Sequence, residues 1–183
     1  MRPFRAASAA AATAVVLVLA LAGCATHIKA QDETIKPSKV PLGSFQAVEL
    51  APLVVEQMEG DSGDRAAVER IDGDLRNCMR GVFPNLAEPG TAAGDGTLLI
   101  EPAIVNLKKV NTAERVFLGP LSGSSAVLLR VRFTDKTKND VVAQPTFYAR
   151  ASAMSGAWTF GTTDNIMLMR IINEACSYSR QNR

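Results

Sequence analysis

The sequence predicts an α+β fold: a single mostly antiparallel sheet of about four strands with two helices on one face, in the order β-α-β-β-β-α. Three observations lead there. Val68, Ile71, Leu75, Cys78 and Val82 recur at spacings of three and four, and Leu168, Met169, Ile172, Ala175 and Cys176 do the same near the C-terminus, with Ser179 continuing the stripe. Each run makes one amphipathic helix. Between them Val127, Leu129, Val131 and Phe133 alternate with Leu128, Arg130 and Arg132, the period of a half-buried strand. Asp135 to Asp140 is then a polar loop short enough to turn that strand back on a neighbour.

The elements follow in order. Phe45 to Glu56 is rich in Val and Leu with Pro52 inside, so it is expected to be a bent or edge strand. Gly60-Asp61-Ser62-Gly63-Asp64 is a turn into the first helix, which runs for about five turns, with Ser62 or Asp64 as its N-cap and Pro84 closing it. Glu88 to Gly96 reads as a loop, and Thr97 to Val110 as a long strand that again carries a proline. A glycine-rich loop around Gly119 and Gly123 leads into the strand Ser124 to Thr134, and Val141 to Ala151 is its returning partner. A second loop spans Trp158 to Gly161. Thr163 or Asp164 is expected to cap the final helix.

The N-terminus carries a different signal. Arg2 and Arg5 precede an apolar run ending in Leu21-Ala22-Gly23-Cys24. A short basic region, an apolar stretch and small terminal residues make a secretory signal peptide over residues 1–23. The run falls slightly short of the roughly 20 apolar residues of a membrane span. Leu21 to Cys24 resembles the lipobox of bacterial lipoproteins, which implies cleavage before Cys24 and diacylation of its thiol. Two acyl chains suffice for stable anchoring, since each buried methylene contributes about 0.8 kcal/mol. Ala25 follows the anchor where an aspartate signals inner-membrane retention in enteric-type sorting, so the expected address is the outer membrane, facing the periplasm. Residues 24–43 are polar, of mixed charge and carry two prolines, a flexible tether. Residues 44–183 form one periplasmic domain, long enough for its own core.

Cys24 taken by lipid leaves Cys78 and Cys176 in an oxidising compartment. Elements that alternate in direction give two helices running the same way. Each cysteine then sits about 13–14 residues into its helix, roughly 20 Å along it, and on its apolar stripe. Adjacent helices would bring the two sulfurs to one height, as a disulfide requires. Two buried free thiols are the alternative.

Charge and motifs narrow the function by exclusion. Arg2 and Arg5 leave with the leader, after which basic and acidic residues are equal in number. No Lys/Arg cluster interleaved with aromatics offers a nucleic acid a surface. Gly60-Asp61-Ser62-Gly63 reproduces four residues of the nucleophile motif of chymotrypsin-like proteases, but the only histidine, His27, lies in the tether, and Asp64 replaces the next glycine. Asp61, Asp64, Asp72 and Asp74 lack the spacing of a calcium loop and read as a solvated face. Met154, Met167 and Met169 read as core filler and not as a copper site. No metal or cofactor is expected.

Arg115, Phe117, Trp158 and Phe160 in the predicted loops are a candidate interaction surface, since Arg and Trp are enriched at binding hot spots. Prolines in the strands suggest a sheet edge open to a partner strand. Residues 97–183 also present a strand, then Arg115 to Gly119, Gly123-Ser124-Ser125, an apolar strand, Asp135 in the hairpin and Gly161 to Asp164 opening the last helix. In this pattern they resemble uncharacterised bacterial lipoproteins of the domain-of-unknown-function type, and more loosely the envelope-assembly and transporter-auxiliary lipoproteins. That resemblance implies a scaffold or adaptor with no catalytic residues. The expectation is therefore a non-catalytic binding or assembly module in the cell envelope, held to the membrane by its lipid and engaging an envelope protein or itself. A carrier of a lipid or small apolar ligand is the alternative, and a hydrolase ranks last.

Overall fold

The computed structural model describes residues 28, 35–59, 62–87, 90–91, 96–109, 124–151 and 162–183. After a single 3-10 turn at Leu42–Ser44 the elements are β1 (Ala47–Leu50), β2 (Val54–Val55), β3 (Met58–Glu59), α1 (Ser62–Val82), β4 (Leu86–Ala87), β5 (Thr97–Lys108), β6 (Ala126–Asp135), β7 (Asp140–Ala143), β8 (Thr146–Arg150) and α2 (Thr162–Gln181). The final helix thus begins ahead of Thr163 and Asp164, the residues expected to cap it.

These segments lie in five rows. β1, β2 and β3 run one after another along β5, pairing at Leu50↔Ile100, Val54↔Ala103 and Met58↔Leu107. They are one row of the sheet, broken after Leu50. Its break faces Glu101 and Pro102, and Pro52 lies inside it, so both chains lack an N–H near the point where pairing lapses. On the other side β6 pairs with β5 over its whole length. β8 and β7 divide the far side of β6, separated by Gln144 and Pro145. Val131 N–H still reaches Pro145 O at 3.0 Å across that interruption.

The sheet is mixed and its eight strand segments fill five rows, which corrects the expected mostly antiparallel sheet of about four strands. β1, β2 and β3 all pair parallel to β5, and β4 pairs parallel to β1. The cause is α1: a helix crossing between two neighbouring strands returns the chain to the same end of the sheet, so the strands it joins point the same way. β5–β6, β6–β7 and β6–β8 are antiparallel, as the hairpin predicts. Within that hairpin Asp135 Oδ1 accepts from the N–H groups of Thr137 and Lys138 at 3.0 and 3.1 Å, and Asn139 takes the left-handed turn position at φ 52°.

Both helices pack on one face. Ile71, Leu75 and Met79 of α1 and Ile171, Ile172 and Ala175 of α2 share a core with Ile100, Ile104, Val127, Leu129 and Phe133 of the sheet. A disulfide joins Cys78 to Cys176, with their Cα atoms 6.2 Å apart. Eight residues earlier in α1, Arg70 Nη1 donates to Asn165 Oδ1 near the start of α2, at 3.0 Å. Two links in the same order along both helices mean the helices run parallel. The bridge closes a separation of 98 residues.

The chain expected to be free tether up to residue 43 is packed on the domain from residue 35. Leu42 is fully buried, and its N–H reaches Asn182 O at 2.7 Å. Tyr178 Oη donates to Lys36 O at 3.0 Å, Ser38 N–H to Asn182 Oδ1 at 2.8 Å, and Lys39 N–H to Val142 O at 2.9 Å. The segment is pinned between the end of α2 and the outer side of β7. Further back, Ile28 is buried on the helix-free face against Ala126, Leu128, Val105 and Tyr148.

Candidate docking surfaces

Buried apolar residues account for the core, so surface function is sought among those left outside it. Seven large apolar side chains among the described residues are exposed: Ile35, Val40, Val54, Val55, Met58, Ile166 and Met169. Six of them, all but Val40, fall into two groups at opposite edges of the sheet.

The first group lines a groove of about 740 Å³ between α2 and the pinned segment. Ile166 and Met169, both about half exposed, stand three residues apart on α2 and therefore on one side of it. Ile35 and Pro37 form the facing wall, and Phe147 of β8 lies at the base. Tyr178 closes the groove at one end, its hydroxyl spent on Lys36 O. Glu174 adds a carboxyl to the wall. Burial raises its pKa above 4.5, and the nearby Arg170 works in the opposite direction. Burial likewise pushes the Tyr178 phenol above 10.0. A smaller hollow of about 470 Å³ lies on the other side of the pinned segment, against β7.

The second group sits on β2 and β3. β4 extends the sheet only beside β1, so β2 and β3 form its outer edge among the described residues. Val54 is 56% exposed and Met58 46%, with Val55 beside them. A strand edge carrying apolar side chains presents both backbone hydrogen-bonding groups and contact area to a partner.

Several polar groups elsewhere among the described residues are matched within the fold. Asp72 and Asp74, read from sequence as part of a solvated face, pair with Arg76 and Arg70 one helical turn away, at 3.1 and 3.5 Å. On the helix-free face Glu49, almost wholly buried, holds Lys136 at 2.8 Å, and Arg130 pairs with Glu56. Arg132 donates to Gln144 at 3.0 Å. Among the described residues no group of three or more His, Cys, Asp and Glu could hold a metal, and no helix is long and apolar enough to cross a membrane.

Of the residues singled out from sequence, Cys78 and Cys176 are brought together. Cys24, Arg115, Phe117, Trp158 and Phe160 lie outside the described residues. Met169 was expected on the inner stripe of α2 but is half exposed, while Met167 is buried. The stripe is therefore Met167, Leu168, Ile171, Ile172, Ala175 and Cys176. Nothing in the helical period distinguishes the outward Ile166 and Met169, because the four consecutive residues Ile166 to Met169 are apolar on every side of the helix. The exposed Val54 and Val55 did have a signal: two β-branched residues just after a strand-breaking proline.

No protein-family model matches the sequence, and no curated protein sequence matches it. Solved structures do match the fold. The PelC dodecamer from Paraburkholderia phytofirmans aligns at a TM-score of 0.53 and 13% identity, over 80% of this chain and 96% of that one. Protein XCC0632 from Xanthomonas campestris, of the DUF330 family, aligns at 0.43 and 10%, over 81% and 94%. Lipoprotein GNA1162 from Neisseria meningitidis aligns at 0.35 and 10%, over 70% and 95%. At 13% identity the likeness to PelC is one of fold.

Proposed function

We propose that this chain is a non-catalytic assembly module of the cell envelope, anchored through Cys24, whose domain associates with further copies of itself. One observation carries the reading: six of the seven exposed large apolar residues among those described gather at two opposite edges of one sheet, as a ridge on one side and a groove on the other. Two different patches on opposite sides favour a head-to-tail contact, and head-to-tail contacts close into rings when the rotation between neighbours permits. The dodecameric state of PelC, whose fold is similar, agrees with such an arrangement. The lipobox at Leu21 to Cys24 supports anchoring, and Ala25 after it supports sorting to the outer membrane.

Sedimentation of the purified domain tests this. The expected result is an oligomer that Val54→Asp or Ile166→Asp reduces to monomer, since each places a charge within the apolar contact. A monomer at all concentrations would remove the reading. The groove's apolar lining also supports a second one, a carrier of a lipid or small apolar ligand. Solvent extraction of the natively purified protein separates the two, because only a carrier yields a stoichiometric lipid.

A further inference from the structure

We infer that the bilayer lies against one particular end of this domain, the end where β5 and β8 finish and β6 begins. The inference rests on the anchored reading and adds the domain's orientation to it. Twenty residues of free tether would let the domain tumble well away from the membrane. Ile28 removes that freedom. Its side chain is 5% exposed, packed against Ala126, Leu128, Val105 and Tyr148, and Tyr148 Oη donates to its carbonyl at 3.4 Å.

Cys24 is only four residues before Ile28, so a fully extended chain lets it move at most ~14 Å away. Ile28 packs within three residues of the ends of these strands, on Val105, Ala126, Leu128 and Tyr148. Ala126 pairs with both Lys108 and Arg150, the final residues of β5 and β8. The opposite end of the sheet is where Leu98 pairs with Asp135 at the hairpin. From Val105 to Leu98 is seven residues, or roughly 23 Å of strand. The hairpin end is thus beyond the reach of the anchor, and the end bearing Lys108 and Arg150 is within it. Acyl chains on Cys24 bring the membrane to the second of these and leave the hairpin pointing away from it. Ile28 acts as a clamp that shortens the tether to its first four residues.

The test uses the full chain, expressed with its leader and reconstituted into phosphatidylethanolamine and phosphatidylglycerol vesicles that carry nitroxide-labelled lipid. Mass spectrometry of the N-terminal peptide first reports whether Cys24 is acylated. Single cysteines at Lys108→Cys and Lys138→Cys, each bearing a fluorophore, then report distance from the lipid. Acylation with several-fold stronger quenching at position 108 than at position 138 is the expected result. Ile28→Asp should abolish the difference while leaving the protein acylated and vesicle-bound. Equal quenching at the two positions in an acylated protein would overturn the seating and leave the anchor intact. An unmodified N-terminus would overturn the anchor itself, and the seating with it.

Discussion

Single residues set the surface chemistry of the groove. Tyr178 is the clearest case, because one hydroxyl ties α2 to the segment that forms the facing wall. Tyr178→Phe keeps the ring contacts with Phe133 and Phe147 and removes only that hydrogen bond. Urea unfolding should show a loss of about 1 kcal/mol, and amide exchange should quicken at Ser38 and Lys39. Glu174 responds to pH. Burial holds its carboxyl protonated to higher pH than in the unfolded chain, whose carboxyl titrates near 4.5. As pH rises above 4.5 the unfolded state ionises first, so stability falls until the folded carboxyl has ionised as well. Glu174→Gln should flatten that part of the stability profile. Arg170→Ala should move the Glu174 titration, followed by NMR, further upward, since the guanidinium opposes the burial.

At the scale of elements, the two helices are held to the sheet by burial and to each other by the disulfide. Ile71 is fully buried at the centre of the α1 stripe. Ile71→Ala should cost about 2–5 kcal/mol in denaturant unfolding, from lost transfer energy and the cavity left behind. Replacing Cys78 and Cys176 together by alanine should lower stability by up to about 4–5 kcal/mol on the chain-entropy account of a loop this long. Intact-mass measurement with thiol labelling should find neither of these cysteines free before reduction. This pairing was legible in advance, because helix length and apolar stripe fixed the height and facing of each cysteine. The strand directions were legible in principle too. A strand, a crossing helix and a second strand imply a parallel pair, and the hairpin-rich second half of the chain drew the reading toward antiparallel. β4 had no signal: two residues after Pro84 cannot show a period.

For the whole molecule, the arrangement of the two apolar edges makes a prediction that no single surface could. In a head-to-tail assembly, a protein with its ridge blocked by Val54→Asp can still offer its groove, and one with its groove blocked by Ile166→Asp can still offer its ridge. Each alone should sediment as a monomer. Mixed in equal amounts, they should form a dimer that grows no further. An interface in which identical patches meet would give no such complementation. The sandwich also explains how one chain carries both surfaces: α2 covers the β6–β8 side, and β2 and β3 remain at the other edge.

The sequence by itself determined two amphipathic helices, the hairpin at Asp135 to Asp140 and the matching heights of Cys78 and Cys176. All of these are local patterns, set by neighbours within a few turns of helix or a few residues of strand. Tertiary structure alone decided that β1, β2 and β3 line up as one broken row along β5, that Met169 faces outward while Met167 faces inward, and that residues 35–43 pack on the domain. Those outcomes depend on which surfaces meet across long stretches of chain. A residue's period tells which side of its element it occupies, but only the packed neighbour decides whether that side is buried.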